Sequence, residues 1–315
     1  MLGCGAVGAG VLAHLKHWND RFEVNPVLVR HPMRYSEQGQ FTSEPDHALA
    51  GDVDIIVELL GGADYPAGLV VPALKSGTHL VTANKAAVAK HYDEYQAAAD
   101  QGGALLRFSG AVGGGTPVIE RLQQLKGKVV SVEGVMNGTS NFLLDRLHEG
   151  WTFDEALARA RELGFAEEDP SADVDGHDAA DKLSLLIREA FGISVPPTDI
   201  SKQSLREIDR GALLEAKAKG LILKQVGRCK LIDGKVEASV ALEYLPGDHP
   251  LARPRNEENA FLVTEESGAQ HCLHAKGAGR WPTAAAVFSD IMDIYRAVAA
   301  RDAEAPSVAT LRMSA

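Results

Sequence analysis

Near the start of the chain, Gly3-Cys4-Gly5-Ala6-Val7-Gly8 constrains the fold more than any other stretch. The pattern is G-x-G-x-x-G, and Val11, Leu12 and Leu15 follow it at helical spacing. The first two glycines permit a tight turn and the close approach of a pyrophosphate. The third lets the helix pack on a sheet, and the helix N-terminus attracts phosphate. Glycine-rich turns are frequent, so the pattern alone is weak. A second strand, residues 24–29, follows the helix at the distance of a βαβ unit and strengthens it. Gly3, Gly5, Ala6, Val7 and Gly8 are therefore the candidate dinucleotide-binding residues. Only Met1 and Leu2 precede the loop, so the first, central strand is expected to be nearly absent. A misplaced start is favoured over a sheet completed some other way.

The end of the second strand speaks to cofactor type. An acid there would bind the ribose 2′-hydroxyl of NAD, whereas an arginine accommodates a 2′-phosphate. The residue present is Arg30, with His31 and Arg34 close behind. A solvated basic loop is the plain alternative, yet the missing acid tilts the choice towards NADP. Residues 53–60 read as a buried parallel strand ended by Gly61-Gly62, and residues 72–75 as helix. A strand over 79–83 ends in Asn84-Lys85-Ala86. Ligands in open parallel sheets bind at the carboxyl ends of strands, where Glu58 and Lys85 both fall. A helix over 92–100 and a strand over 104–108 follow.

Ser109 to Pro117, rich in glycine, reads as the exit from a first domain, with Pro117 opening a helix over 118–125. A strand over 129–135 leads to the polar turn Met136-Asn137-Gly138-Thr139-Ser140-Asn141. Its amides and hydroxyls could hold a carboxylate or simply cap a helix. Next, Gly164 to Asp178 crowds carboxylates into a loop broken by Pro170 and Gly176. Asp175 is a plausible N-cap, with Asp178 three residues on. Asp178 and Lys182 stand at i and i+4 on one helix face. That pair reads either as a surface ion pair on a capped helix or as part of a site, the density of acids favouring the latter. Residues 199–223 read as mostly helical. Residues 231–245 read as a hairpin around Asp233-Gly234. Strands over 261–264 and 270–274 complete a second sheet. His271 and His274 lack metal-ligand spacing and read as structural. A helix over 284–300 is expected to return to the first domain, with a loose tail after Ala305.

The 315 residues, 45% hydrophobic and 24% charged, suffice for two domains with real cores. A net charge of −11 argues against a nucleic-acid surface. Cys4, Cys229 and Cys272 are odd in number and widely spaced, as in a reducing compartment. With no apolar run of membrane-spanning length and no leader, the expectation is a cytoplasmic protein without a membrane partner.

Several of these pieces together resemble homoserine dehydrogenases. They are the glycine loop, Val81-Thr82-Ala83-Asn84-Lys85, the 113–119 segment Gly-Gly-Gly-Thr-Pro-Val-Ile, and the 134–142 segment around Asn137-Gly138-Thr139. The acidic loop with Asp178 and Lys182 follows, then Gly277-Ala278-Gly279 with Pro282-Thr283-Ala284. The resemblance covers nearly the whole chain, and the acidic loop is its most specific part. It implies an α/β fold: a Rossmann-like cofactor domain plus an α+β substrate-binding and dimerisation domain. The expected division is 1–112 for the NAD(P)-binding domain, 113–275 for the substrate-binding and dimerisation domain, and 276–315 for a C-terminal helix returning to the first.

The resemblance also implies roles. Lys182 and Lys85 match the lysines that face the reacting hydroxyl and nicotinamide, and Asp178 the acid beside them. Glu167 and Asp173 match acids that bind substrate, and Gly138 and Thr139 the turn lining its pocket. Asn84, Lys85 and Gly279 join the glycine loop and Arg30 as cofactor-binding. The implied reaction is the NAD(P)-dependent interconversion of L-homoserine and L-aspartate 4-semialdehyde, in threonine, methionine and isoleucine biosynthesis, by a homodimer. Carboxylates suit the substrate's ammonium, and a lysine lowered in pKa could serve as the base. Three features depart from the family. Ser109 stands where a glutamate often supplies the one side-chain ligand to a monovalent cation such as Na⁺, the backbone carbonyls of Val112, Gly114 and Thr116 being the others. Phe165 replaces a frequent tyrosine, and the first strand is short. A C-terminal amino-acid-sensing domain is common in the family, and threonine feedback through one is not expected within these 315 residues. The alternatives are another amino-acid dehydrogenase of similar architecture, or a catalytically inactive nucleotide-binding sensor.

Overall fold

The computed structural model describes residues 1–35, 39–277 and 279–304, the side chains of 302–304 excepted. The expected loose tail after Ala305 lies outside the described residues, as does Ala278 of the Gly-Ala-Gly segment.

The first half is a parallel sheet with helices on it. Its elements run α1 (Ala6–Lys16), β1 (Val27–Leu28), β2 (Phe41–Thr42), α2 (Pro45–Ala48), β3 (Ile55–Glu58), α3 (Asp64–Lys75), β4 (His79–Thr82), α4 (Lys85–Gly102) and β5 (Leu106–Arg107). β1 pairs with β2, and β3 with β4 and then β5, all parallel. Leu2 joins the two groups by parallel bridges to Leu28 and Glu58. The Leu2 amide donates to Val57 O at 2.8 Å, and its carbonyl accepts from Leu59 N at 2.7 Å. The spatial order is β2-β1-Leu2-β3-β4-β5, the doubly wound order with a single residue in the central place. Leu2 is fully buried, so the central position is held by packing as much as by pairing.

Strand lengths are shorter than the apolar runs suggest: 24–29 yields Val27–Leu28, and 104–108 yields Leu106–Arg107. Helices are longer. Residues 72–75 are only the last turn of α3, and 92–100 the second half of α4. Burial rather than periodicity decides here, because α4 turns Ala87, Val88, Tyr95, Ala98 and Ala99 inward from a mostly polar sequence.

The second half continues with α5 (Val118–Gln124), β6 (Val129–Val135), α6 (Gly138–Glu149), α7 (Phe153–Glu162), α8 (Ser171–Val174) and α9 (His177–Phe191). Then come β7 (Ser201–Lys202), α10 (Arg210–Ala218), β8 (Leu221–Ile232), β9 (Lys235–Pro246), β10 (Glu258–Glu265), β11 (Gln270–Lys276) and α11 (Arg280–Glu304). Its sheet has six strands in the order β11-β10-β6-β8-β9-β7. β8 and β9 form the expected hairpin, longer than read, turning at Asp233 (φ 48°) and Gly234 (φ 76°). Both central residues have positive φ, the requirement of a tight hairpin turn. The expectation of helix over 199–223 is overturned: only Arg210–Ala218 is α-helical. Ser201–Lys202 pairs with β9, and Leu221 onward is β8, because edge pairing and sheet burial outweigh local propensity.

α9 joins the halves. It turns Ala179, Ala180, Leu183, Leu186 and Ile187 into a core that also holds Leu80, Tyr95 and Phe108 of the first half and Val132 and Phe261 of the second. α11 extends past the expected 284–300 and packs on α1. There an added Cβ on Gly10 would meet Ala284 Cβ at 2.7 Å, so close contact of the two helices needs glycine. Among the described residues, no helix is long and apolar enough to cross a membrane.

Candidate active site

Two segments from opposite halves meet over one carboxylate. In the first half, β4 ends at Thr82, and Asn84 caps α4 by accepting from the Ala87 amide at 3.1 Å. Lys85 is therefore the first residue of α4, just past the carboxyl end of β4. In the second half, α9 starts after Gly176, whose φ is +77° and whose added Cβ would press on Gln225 and Val240 at 3.3 Å. A glycine in the left-handed region lets the chain turn there at no steric cost. Asp175 is not the N-cap. Its carboxylate instead accepts from Ser204 Oγ at 2.5 Å and lies 3.3 Å from Arg206 Nε.

Asp178, in the first turn of α9, takes a lysine on each oxygen. Lys85 Nζ donates to Oδ1, and Lys182 Nζ, one turn on, sits 2.7 Å from Oδ2. Lys182 also donates to the Met136 carbonyl at 2.8 Å, and Lys85 lies 3.3 Å from Asp181. Asn137 Nδ2 bridges Asp178 Oδ2 at 2.8 Å and Asp173 Oδ1 at 2.6 Å, while its own Oδ1 caps α6 through the Ser140 amide. The i,i+4 pair read from the sequence is thus present, but Lys85 makes it a three-membered cluster with 15–26% side-chain exposure.

Burial pushes Asp178 up, and the Lys182 and Lys85 charges outweigh it, holding the carboxyl well below the usual carboxylate range. For Lys85, burial pushes the ammonium down, but Asp178 and Asp181 more than offset it, and its pKa is raised. The expected lowered lysine is therefore not found at Lys85: the cluster holds its amine as the ammonium. Asp173 differs. Burial raises it, Asn137 opposes, the Asp178 charge raises it further, and Thr139 and the Lys182 charge pull it down more weakly; no cation stands within 4 Å among the described residues. A partly buried carboxylate without a direct ion pair gains from a cation placed beside it.

Thr139 donates to the Phe165 carbonyl at 2.6 Å, tying the polar turn to the acidic loop. Gly138 is pressed on the Glu257 backbone, where an added Cβ would lie 3.0 Å from Cα. Glu167 is exposed, and its side chain has no hydrogen bond or ion pair among the described residues. Asp173, Gly138 and Thr139 are thus brought to the cluster, whereas Glu167 is not.

The glycine loop fits a dinucleotide. Gly3 has φ +99°, and an added Cβ would lie 2.6 Å from Leu59 O. An added Cβ on Gly8 would lie 2.6 Å from the Gly3 carbonyl oxygen, so the third glycine packs on its own loop. Gly5 faces open space, and α1 begins there with no side-chain cap and no acid in its first turn. Free amides at a helix start are what a pyrophosphate needs. Arg30 is exposed just past β1, and Gly279 is exposed with φ +116°.

The cation donors fit less well. Ser109 Oγ donates to Asp290 Oδ1 at 2.7 Å, and the Thr116 carbonyl accepts from Val118 N at 2.8 Å. No carboxylate at position 109 faces the loop.

Two residues play parts that the sequence left undefined, although Glu58 was already placed at a strand's carboxyl end. Asn137 is the hub of the cluster, and its only signal was a polar turn that read equally as a plain cap. Glu58, 1% exposed, accepts from Leu60 N, Thr82 Oγ1 and Asn84 Nδ2 and so ties the start of α4 to the loop after β3.

Comparison with known proteins decides the family. A model described as homoserine dehydrogenase matches residues 117–292, and one described as its NAD binding domain matches 3–109. The chain belongs to the homoserine dehydrogenase family. A homoserine dehydrogenase of Synechocystis sp. is 36% identical, over 96% of this chain and 74% of that one. The crystal structure of a homoserine dehydrogenase from Thiobacillus denitrificans superposes with a TM-score of 0.87 at 32% identity, covering 95% of this chain and 73% of that one. A hyperthermophilic archaeal homoserine dehydrogenase mutant in complex with NADPH superposes with a TM-score of 0.78 at 26% identity, covering 94% and 96%. As a member of this family the chain carries homoserine dehydrogenase activity, that of an NAD(P)-dependent oxidoreductase.

Proposed function

We propose that the Lys85–Asp178–Lys182 cluster is the catalytic centre for interconverting L-homoserine and L-aspartate 4-semialdehyde. One observation carries this reading: a lysine from each half of the chain shares the Asp178 carboxylate. Gly3, Gly5, Ala6, Val7 and Gly8 would hold the cofactor, which when bound would supply the hydride acceptor or donor. The chain's own residues handle the proton. With Lys85 held as an ammonium, the cluster is poised to donate to the aldehyde oxygen during reduction. In the oxidation direction the same lysine pair takes the hydroxyl proton after giving one up to solvent. Asp178 fixes both amines and is not itself a proton carrier, its pKa being far below neutrality.

Asp173 is the receptor for the substrate ammonium, with Glu167 joining it when substrate is present. Gly138 and Thr139 line the pocket for the substrate carboxylate. Asn84, Lys85 and Gly279 complete the cofactor groove, and Arg30 gives a preference for NADP over NAD. The division is 1–112 for cofactor, 113–275 for substrate and dimerisation, and 276–315 for the returning helix. The dimer forms through the sheet face opposite α9. Arg228 bridges Glu133 and Glu243 across that sheet, and Val226 and Leu262 cluster with Leu251 and Ala252 of the 250–252 turn. The carbonyls of Val112, Gly114 and Thr116 would be the donors of a monovalent cation. Without a carboxylate at 109, no step is assigned to it. The test is homoserine-dependent reduction of NADP and NAD by the purified protein. Turnover with homoserine supports the reading, and none with either cofactor overturns it.

A further inference from the structure

The glycine loop lacks a charge to match its ligand. No basic side chain occurs before His14, and the chain as a whole carries −11. A pyrophosphate brings two negative charges to that loop, and backbone amides supply only partial positive charge.

Positive charge arrives there from the other end of the chain. α11 lies alongside α1 in the same direction: Gly10 meets Ala284, His14 stacks on Phe288, and Phe22 meets Tyr295. Both helices therefore start at the same end, beside the loop. The first residue of α11 is Arg280, whose Cγ would lie 3.5 Å from a Cβ on Gly10. Its guanidinium lies 4.7 Å over the Trp281 ring and is exposed. It has no hydrogen bond or ion pair with any described residue. Burial raises the Cys4 thiol within the glycine loop, and the Arg280 charge opposes that rise, so the guanidinium and the loop share one field.

We propose that Arg280 pairs with the cofactor pyrophosphate held over Gly3–Gly8. This rests on the reading of that loop as the NAD(P) site. An arginine fork matches two phosphate oxygens, and stacking on Trp281 holds the stem in place before the ligand arrives. Arg280 thus differs from Arg30: it contacts the part common to NADP and NAD, while Arg30 stands where the 2′-phosphate of NADP alone would reach.

The experiment is fluorescence titration of NADPH and NADH into wild type, Arg280→Gln and Arg280→Lys, with a thermal melt of each. Arg280→Gln should weaken both cofactors alike by about tenfold or more, the worth of a charge-assisted phosphate contact. Arg280→Lys should recover part of the loss. The melts should coincide, since the side chain is exposed. Unchanged affinity in Arg280→Gln overturns the proposal, and so does a loss confined to NADPH. Failure of the wild type to bind either cofactor overturns the cofactor-site reading itself.

Discussion

At the scale of single residues, charge that its neighbours offset only in part is the informative feature. Asp173 is half-buried and raised by burial, and the Asn137 amide, the Thr139 hydroxyl and the Lys182 charge offset that rise only in part. If it receives the substrate ammonium, Asp173→Asn keeps the shape and removes the charge. Steady-state kinetics should then show a raised KM for homoserine, with little change for NADP or in stability. Glu167→Gln should show a smaller effect in the same direction, because Glu167 is exposed before substrate binds. Unaltered homoserine saturation in both variants would leave the acidic loop as no more than a lead-in to α9. Arg30→Ala should weaken NADP by roughly tenfold to a hundredfold and leave NAD nearly unchanged, as competition titrations would measure. Equal losses would show that Arg30 does not read the 2′-phosphate. The sequence made Asp173 and Lys182 legible because the acidic loop is dense and the i,i+4 spacing is a local rule. The part of Asn137 was not legible. Its side chain serves residues 36 and 41 positions away, and nothing local distinguishes that from an ordinary cap.

At the scale of elements, the crossing segment between the halves is pinned to α11 by an unusual pair. Asp290, fully buried, accepts from the Ser109 amide at 2.9 Å and from its hydroxyl at 2.7 Å. Burial pushes its pKa up to about 7; Ser109 opposes, the Glu120 charge on α5 adds to the rise, and Arg107 opposes. The carboxyl binds its proton more tightly folded than unfolded, so ionising it weakens the fold. Stability contributed by the protonated form is complete below about pH 4, is lost progressively as pH rises to about 7, and stays lost above. Asp290→Asn keeps an acceptor for the amide and a donor for the hydroxyl without the charge. Denaturant titrations should find it more stable than wild type at pH 8, by roughly 2–4 kcal/mol, with the gap narrowing towards pH 5. A pH-independent difference would contradict this account of Asp290. Element type was legible wherever period or turn chemistry was strong, as at Asp233-Gly234. It failed at 199–223. A polar, charged stretch reads as helix there, while pairing of Ser201 and Lys202 with Ser239 and Val240 decides otherwise.

For the whole molecule, the glycine loop, the central Leu2 and β3 to β5 make one platform, and the six-stranded sheet with α9 makes the other. The halves are not independent cores: α9 packs into both, and α11 returns to lie on α1. That arrangement explains how Lys85 and Lys182, nearly a hundred positions apart in sequence, come to one carboxylate. The fold class and chain order were legible from motifs, whereas this convergence was not, since no local pattern links 85 to 178. The central claim is that the shared cluster moves the proton. Its most direct test is turnover of Lys182→Ala with homoserine and NADP, alongside NADPH affinity of the same variant. The account predicts unchanged affinity and turnover lowered by roughly 10²–10⁴-fold, the usual worth of positioned acid–base catalysis. Near-wild-type turnover in that variant would contradict it and reduce Asp178–Lys182 to a helix ion pair worth at most about 0.5 kcal/mol.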